Sequence, residues 1–284
     1  MRRITAFVGL AALVGVAFAG SRPPAKGVTY SLRMTTRLPA MMQQMAGPDA
    51  AGPVILARVK SVGKRARFDF QAVPQGMEVD GYALMLDSGR VVLVNPAEKM
   101  YSEAPAAFGN GGGGGLGMLS AIAGSGRRRA AAEGRNVPQI EITGIVTDLQ
   151  QLDGDTLQGR QVRHYQMVAE MNIGVMGQMT PVRVEMEMWT ADLPFAIVNP
   201  FDLGGTVSPD DPAAKFTAKL IEMRKKIQGT PIKTIMTTTV SGLGNGALPP
   251  LEFSQTTQIT DIRPMEVDLK DLEIPAGFTR RSQD

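Results

Sequence analysis

The stretch "PVRVEMEMW", residues 181–189, alternates strictly between apolar and polar side chains after its first residue, up to the final tryptophan. Because successive residues of a β-strand point to opposite faces of a sheet, this period of two predicts a strand with one apolar face and one polar face. The apolar face carries Val182, Val184, Met186 and Met188, and the opposite face carries Arg183, Glu185, Glu187 and Trp189. The stretch therefore predicts a sheet covered on one side, in which methionine continues a valine face.

The same alternation recurs along the chain, as in "GVTYSLRMTTR" (27–37), "RARFDFQAV" (65–73) and "QVRHYQMVAEMNI" (161–173). Turn sequences such as Gly63-Lys64 separate neighbouring segments and predict hairpins. We interpret Asp153-Gly154-Asp155 as a further hairpin turn, because the remaining oxygen ligands of a calcium loop are missing. The pattern predicts a mainly β protein.

One segment has helical spacing instead. Residues 208–211 combine an N-cap serine, a first-turn proline and two acids, and residues 224–226 place three basic side chains near the expected end, before Gly229. The apolar residues of this segment fall on one stripe: Phe216, Leu220, Met223 and Ile227. An amphipathic helix of this kind lies on an apolar surface, and we expect it to act as a lid.

The N-terminus has the features of a cleaved secretory signal. Arg2-Arg3 precedes an apolar run that ends in the small residues around Ala19. We therefore predict a signal peptide at 1–19 and a single domain at 20–284. The chain contains no cysteine, which excludes a lipid-modified N-terminal Cys and any disulfide. The expected location is periplasmic or secreted, with no transmembrane segment after cleavage.

Residues 105–136 differ in composition from the rest, with five successive glycines at 111–115 and three arginines at 127–129. We predict a flexible insert here, because a glycine run loses much backbone entropy when it is ordered. No Gly-Lys-Ser/Thr sequence follows the glycines, so a phosphate-binding loop is not indicated. Loss of Arg2 and Arg3 lowers the formal net charge from +3 to +1, which argues against nucleic acid as a partner.

Six segments in order resemble a bacterial family of secreted domains of unknown function, the 4412 type. They are "VKSVGKRARFDF", "YALMLDSGRVVLVNPAEKMYSE", "GRQVRHY", "VEMEMWTADL", "GTPIKTIMTTT" and "LEIPAGF". That family is similar in layout to the lipoprotein-carrier and outer-membrane lipoprotein-receptor group. The resemblance implies a strongly curved antiparallel sheet, a half-barrel, with one or two helices covering the concave face. It supplies no catalytic residues, and the Gly-rich insert and the Met-rich loop 38–53 depart from its pattern.

These patterns predict a non-enzymatic envelope protein that binds a hydrophobic ligand, namely an acyl chain, a lipid or a lipoprotein segment, and needs no cofactor. Methionine suits such a cavity because its flexible thioether adapts to variable apolar shapes. The residues expected to line the cavity are Tyr30, Leu32, Met34, Phe68, Phe70, Met167, Met186 and Met188. If the protein's own side chains filled this face, an interaction or scaffold role would lead instead, through a strand edge or the insert.

Catalysis and metal binding are less favoured by the residues. The only histidine, His164, is expected on the exposed polar face, and the carboxylates of Glu185 and Glu187 beside Arg183 have the composition of an ordinary outer strand face. Met186 and Met188 have backbones about 6.6 Å apart along a strand, whereas two sulfurs on one metal lie within about 4.6 Å. Copper(I) binding by the loop methionines Met41, Met42 and Met45 stays the third hypothesis.

Overall fold

The computed structural model describes residues 24–39, 41, 43, 52, 54–73, 79–104, 140–175, 178–199, 214–242 and 249–281. The predicted signal peptide, the 105–136 insert and the helix start at 208–211 lie outside these residues.

Twelve strands and one α-helix are formed by the described residues. The strands are β1 (Ala25–Arg37), β2 (Val54–Val62), β3 (Arg65–Ala72), β4 (Tyr82–Met85), β5 (Val91–Asn95), β6 (Met100–Glu103), β7 (Ile140–Leu157), β8 (Arg160–Val175), β9 (Gln178–Ala191), β10 (Thr230–Val240), β11 (Leu251–Val267) and β12 (Thr279–Arg280). Helix α1 (Ala214–Arg224) lies between β9 and β10 in sequence, and a short 3-10 helix (Leu269–Leu272) precedes β12.

All twelve strands belong to one open sheet, in the order β12-β6-β5-β4-β3-β2-β1-β11-β10-β9-β8-β7. Every pairing is antiparallel except that of β12 with β6. The predicted mainly β fold, a curved antiparallel sheet with a helix on it, is confirmed, and the described residues contain one such helix.

Pairing across the strands brings the alternating apolar residues to one side, which we name the covered face. Tyr30 pairs with Val59, which in turn pairs with Phe68. Farther along, Met34 on β1 pairs with a threonine of β11, which pairs with a threonine of β10. That second threonine pairs with Met188 on β9. Because directly paired residues project from the same side of a sheet, β1 and β9 share the covered face although two strands separate them.

The β7–β8 hairpin turns later than the sequence suggested. Strand β7 runs through Asp153-Gly154-Asp155, and the turn is formed by Gln158 and Gly159, both at positive φ, of 55° and 72°. The predicted turn at 153–155 is therefore wrong. Asp153 and Gly154 instead form an irregularity in the pairing between Leu152 and Asp155. The sequence Asp-Gly is common both in hairpin turns and in β-bulges. Only the residues that pair with it on the neighbouring strand show which of the two it forms.

The tip of this hairpin reaches far across the sheet. The side-chain amide of Gln158 donates a hydrogen bond of 2.9 Å to the carbonyl oxygen of Ile259 on β11. Two strands, β9 and β10, separate β8 from β11 in the sheet order. The contact therefore requires the long hairpin to bend past the ends of β9 and β10, which makes this half of the sheet strongly curved.

The apolar interior divides into two main clusters. The β-branched cluster is built mainly on β1–β3 and β11, and nine of its 18 buried residues are valine or isoleucine. The methionine cluster is built on β8, β9, β10 and α1, and six of its 13 buried residues are methionine. Between them the covered face carries the buried polar side chains of Thr238 and Gln255.

Candidate functional site

The floor of the methionine cluster is a row of thioethers on three adjacent strands. Met167 on β8 pairs directly with Met186 on β9, and Met186 pairs with Met236 on β10. All three side chains are buried. Adjacent strands lie about 4.8 Å apart, so these flexible side chains contact one another across the sheet rather than along one strand. The result is a continuous apolar floor without β-branched residues in its central row.

Helix α1 forms the roof over this floor. Phe216 and Leu220 are completely buried beneath it, and Met223 and the following Ile227 are nearly so. These are the four residues that the sequence assigned to a lid helix, and the structure brings all four together over β8–β10. The roof is thus a single helix whose apolar stripe meets a methionine surface.

Two hydrogen bonds connect the roof, and the residues that follow it, with the sheet. The ammonium group of Lys219 donates a hydrogen bond of 2.9 Å to the carbonyl oxygen of Ile145 on β7, at an exposed position. Past the end of the helix, the hydroxyl of Thr190 donates to the carbonyl oxygen of Gln228 at 2.6 Å. Phe216, Leu220 and Met223 of the helix meet the floor by apolar contact, and apolar contacts have no fixed direction.

The β-branched cluster has a different cover. Residues 192–199, which follow β9, place Leu193, Phe195 and Ile197 against it. The buried hydroxyl of Tyr30 donates to the carbonyl oxygen of Val198 and accepts a hydrogen bond of 3.1 Å from the Val198 backbone nitrogen. Burial raises the pKa of Tyr30, so its hydroxyl keeps its proton well beyond the usual range. The two hydrogen bonds between Tyr30 and Val198 therefore hold residues 192–199 on the β-branched cluster.

The eight residues expected to line one cavity lie in both clusters. Tyr30, Leu32, Met34 and Phe68 belong to the β-branched cluster, and Phe70 packs against it half-buried. Met167, Met186 and Met188 belong to the methionine cluster. All eight lie under protein side chains or at their margin, and they do not form one continuous open surface.

The surface of the described part of the chain includes two clefts of about 310 and 90 Å³. The larger lies between β7, β8 and β9 and is lined in part by Val146, Glu170 and Arg183. None of the eight predicted lining residues contributes to either cleft. The floor residues Met167, Met186 and Met236 are at most 7% exposed, so in this closed arrangement the protein's own side chains fill the face. That arrangement favours the interaction role, and a ligand reaches the floor only when α1 moves.

The side of β8 and β9 opposite the methionine floor holds an aromatic pair that the sequence did not indicate, and its Trp189 belongs to the β-branched cluster. His164 stacks on Trp189 with ring centroids 4.3 Å apart, and Lys233 lies 4.1 Å from the Trp189 ring. The His164 side chain is 18% exposed and Trp189 is 9% exposed. The expectation of an exposed strand histidine is therefore wrong, because direct pairing of β8 with β9 brings the two rings together.

Carboxylates on this face are occupied in ion pairs. Arg183 bridges Glu170 and Glu185, whose hydrogen bonds raise the pKa of the Arg183 guanidinium, and His164 contacts Glu187 at 3.2 Å. Ion pairs of this kind are typical of an outer strand face and engage these carboxylates.

Metal ligands do not converge in the described part of the chain, where no group of three His, Asp or Glu side chains is placed to hold an ion. Of the three loop methionines, Met41 is exposed, while Met42 and Met45 lie outside the described residues. The copper(I) hypothesis therefore stays a prediction.

No helix among the described residues is long and apolar enough to cross a membrane. Comparison of the chain with protein-family models, with curated proteins and with solved structures finds no match.

Proposed function

We propose that this protein is a non-enzymatic, secreted envelope protein that holds an apolar chain between the methionine floor and helix α1. The ligand class is an acyl chain of a lipid or of a lipoprotein. The observation that carries the proposal is the single helix whose buried apolar stripe covers a floor of thioethers. The secretory signal and the resemblance to carrier-like half-barrel domains point in the same direction.

Methionine supports this function for a physical reason. Its unbranched side chain changes rotamer easily, so a methionine surface fits apolar groups of different shape with little strain. A floor of valine and isoleucine would be stiffer at χ1 and would accept fewer shapes. The row Met167, Met186 and Met236 is therefore suited to ligands that vary in chain length or branching.

The free energy needed to lift α1 from the methionine floor determines how a ligand enters. Exposing a buried Phe, Leu, Met or Ile side chain costs about 1.5–3 kcal/mol. Lifting all four roof residues without replacement therefore makes the open state rare. An acyl chain that takes their place on the floor restores most of the lost apolar contact, so the ligand shifts the population toward the open state.

A cleavable cross-link tests whether the helix must move. Because the chain has no cysteine, the pair Lys219→Cys and Val146→Cys is the only thiol pair present, and Lys219 already reaches the residue before Val146. A short disulfide-containing bismaleimide locks the helix to β7. We expect native mass spectrometry to show palmitate or a tripalmitoylated lipopeptide on the unlocked protein, about tenfold less on the locked one, and recovery after reduction.

A matched control locks the other cover. The pair Arg163→Cys and Asp192→Cys replaces an ion pair of 2.8 Å beside residues 192–199, and the same reagent joins it. This cross-link should leave palmitate binding unchanged. Equal binding by the helix-locked protein would overturn the proposed site, and no binding of either lipid by the native protein would overturn the proposed function.

A further inference from the structure

Strand β7 forms one outer edge of the sheet. It is 18 residues long, and among the described strands it pairs with β8 alone. The opposite edge is formed by β12, which has two residues. An unpaired strand exposes a row of backbone N–H and C=O groups that can bind another extended chain. The two edges of the sheet therefore differ greatly in the length they offer to a partner.

The middle of β7 is regular enough to accept another strand. Irregularities in the β7–β8 pairing fall at 143–146 and at 152–155, and the pairing from Val146 to Leu152 is uninterrupted. Val146 is 63% exposed and Leu152 is 36% exposed, so apolar side chains at both ends of this stretch are in contact with solvent. Seven residues give a backbone ladder about 20–23 Å long.

The charge of β7 indicates what kind of chain would fit. The strand contains Glu141, Asp148, Asp153 and Asp155 and no lysine or arginine. All four carboxylates are exposed, and within the described residues none of them makes an ion pair. By contrast, Glu170 on the neighbouring β8 is paired with Arg183. The edge is thus the acidic border of an otherwise charge-balanced surface.

We infer that the edge of β7 binds an extended, basic segment of a partner protein, which adds to the sheet as a further strand. Backbone hydrogen bonds to residues 146–152 supply the alignment, and lysine or arginine side chains of the partner form ion pairs with the exposed carboxylates, of which Asp148 and Asp155 accept hydrogen bonds within β7. A second copy of this chain does not fit, because β7 against β7 would oppose four negative charges with four more. The acidic residues prevent self-association and select a basic partner.

Synthetic peptides test this inference on the native protein. The probe is a nine-residue peptide that alternates lysine with valine, and its binding is measured by isothermal titration calorimetry at low and at physiological salt. We expect binding that weakens with salt and is lost when backbone nitrogens on one edge of the peptide are methylated. A peptide that alternates glutamate with valine should not bind.

Charge variants locate the site. Asp148→Lys with Asp153→Lys should weaken binding of the lysine–valine peptide at least about tenfold. The matched control, Glu252→Lys with Glu266→Lys, reverses two exposed charges on the central strand β11 and should have little effect. Equal losses in both variants, equal binding of the N-methylated peptide, or no binding at all would overturn the inference. Dimerisation of the native protein through β7 would overturn the choice of partner.

Discussion

The β-branched cluster and the methionine cluster share the covered face of one sheet, which the first extends beyond at Trp189, yet they are built and covered differently. The first has stiff valine and isoleucine side chains under residues 192–199, which the Tyr30 hydroxyl holds by two hydrogen bonds. The second has flexible methionines under a helix that rests on them by apolar contact. Under the proposed function, one part of the covered face stabilises the fold, while the other opens to admit a ligand.

Truncation in the β-branched cluster should have the largest effect on stability. Phe68 is completely buried between β2 and β4, and its neighbours have little rotamer freedom. We expect Phe68→Ala to lower the free energy of unfolding by about 3–5 kcal/mol, because the cavity cannot collapse. Chemical denaturation of both proteins measures this change in the free energy of unfolding. A loss below about 1 kcal/mol would contradict the view of this cluster as the rigid core.

The equivalent truncation beneath the helix should cost less. Phe216 is equally buried, but it faces methionines that can shift into the space it leaves. We expect Phe216→Ala to lower the free energy of unfolding by about 2 kcal/mol, and to increase palmitate binding because opening becomes easier. A loss as large as that of Phe68→Ala, measured in the same denaturation series, would remove the contrast between the two clusters.

Alkaline pH should loosen the cover over the β-branched cluster. Burial raises the pKa of Tyr30 in the folded protein above that of the unfolded chain, which is about 10. The contribution of Tyr30 to the free energy of unfolding is therefore complete below pH ~10. It is lost as the pH rises above ~10, at up to about 1.4 kcal/mol per pH unit. Unfolding measured between pH 8 and 11 should show a steeper decline for the native protein than for Tyr30→Phe. Identical slopes would show that this tyrosine is not the titrating group.

Replacement of the floor methionines should have the smallest effect on stability. Met167→Leu, Met186→Leu and Met236→Leu conserve volume approximately, so each should cost less than about 1.5 kcal/mol. Leucine adapts less readily, so the combined variant should bind a narrower range of chain lengths. Native mass spectrometry with saturated fatty acids of increasing length measures this range. An unchanged range would show that thioether flexibility does not determine ligand choice.

Much of the fold followed from local alternation. The faces of β1 and β9 and the apolar stripe of α1 depend only on which neighbours along the chain are apolar, so the sequence predicted them. The division into two clusters depends on β10 and β11 lying between β1 and β9, with buried Thr238 and Gln255 on the covered face. The stacking of the partly buried His164 on Trp189 depends on the same kind of long-range pairing. No periodicity along one strand contains this information.

The charge of the β7 edge could be seen in the sequence, but its position could not. "IEITGIVTDLQQLDGDTL" has no basic residue, which is visible on inspection. Whether such a strand lies at an edge or in the centre of the sheet is decided by the order of all twelve strands. The inferred partner site therefore emerges only when composition and topology are combined.

Native-state hydrogen exchange compares the two covers most directly. Local opening exposes amides at a free energy below that of global unfolding, and each segment reports its own value. We predict that the amides of α1 exchange through local opening at a lower free energy than those of β1, and that added palmitate raises the value for α1 alone. Exchange of α1 only by global unfolding, together with β1, would contradict the account of α1 as a movable roof.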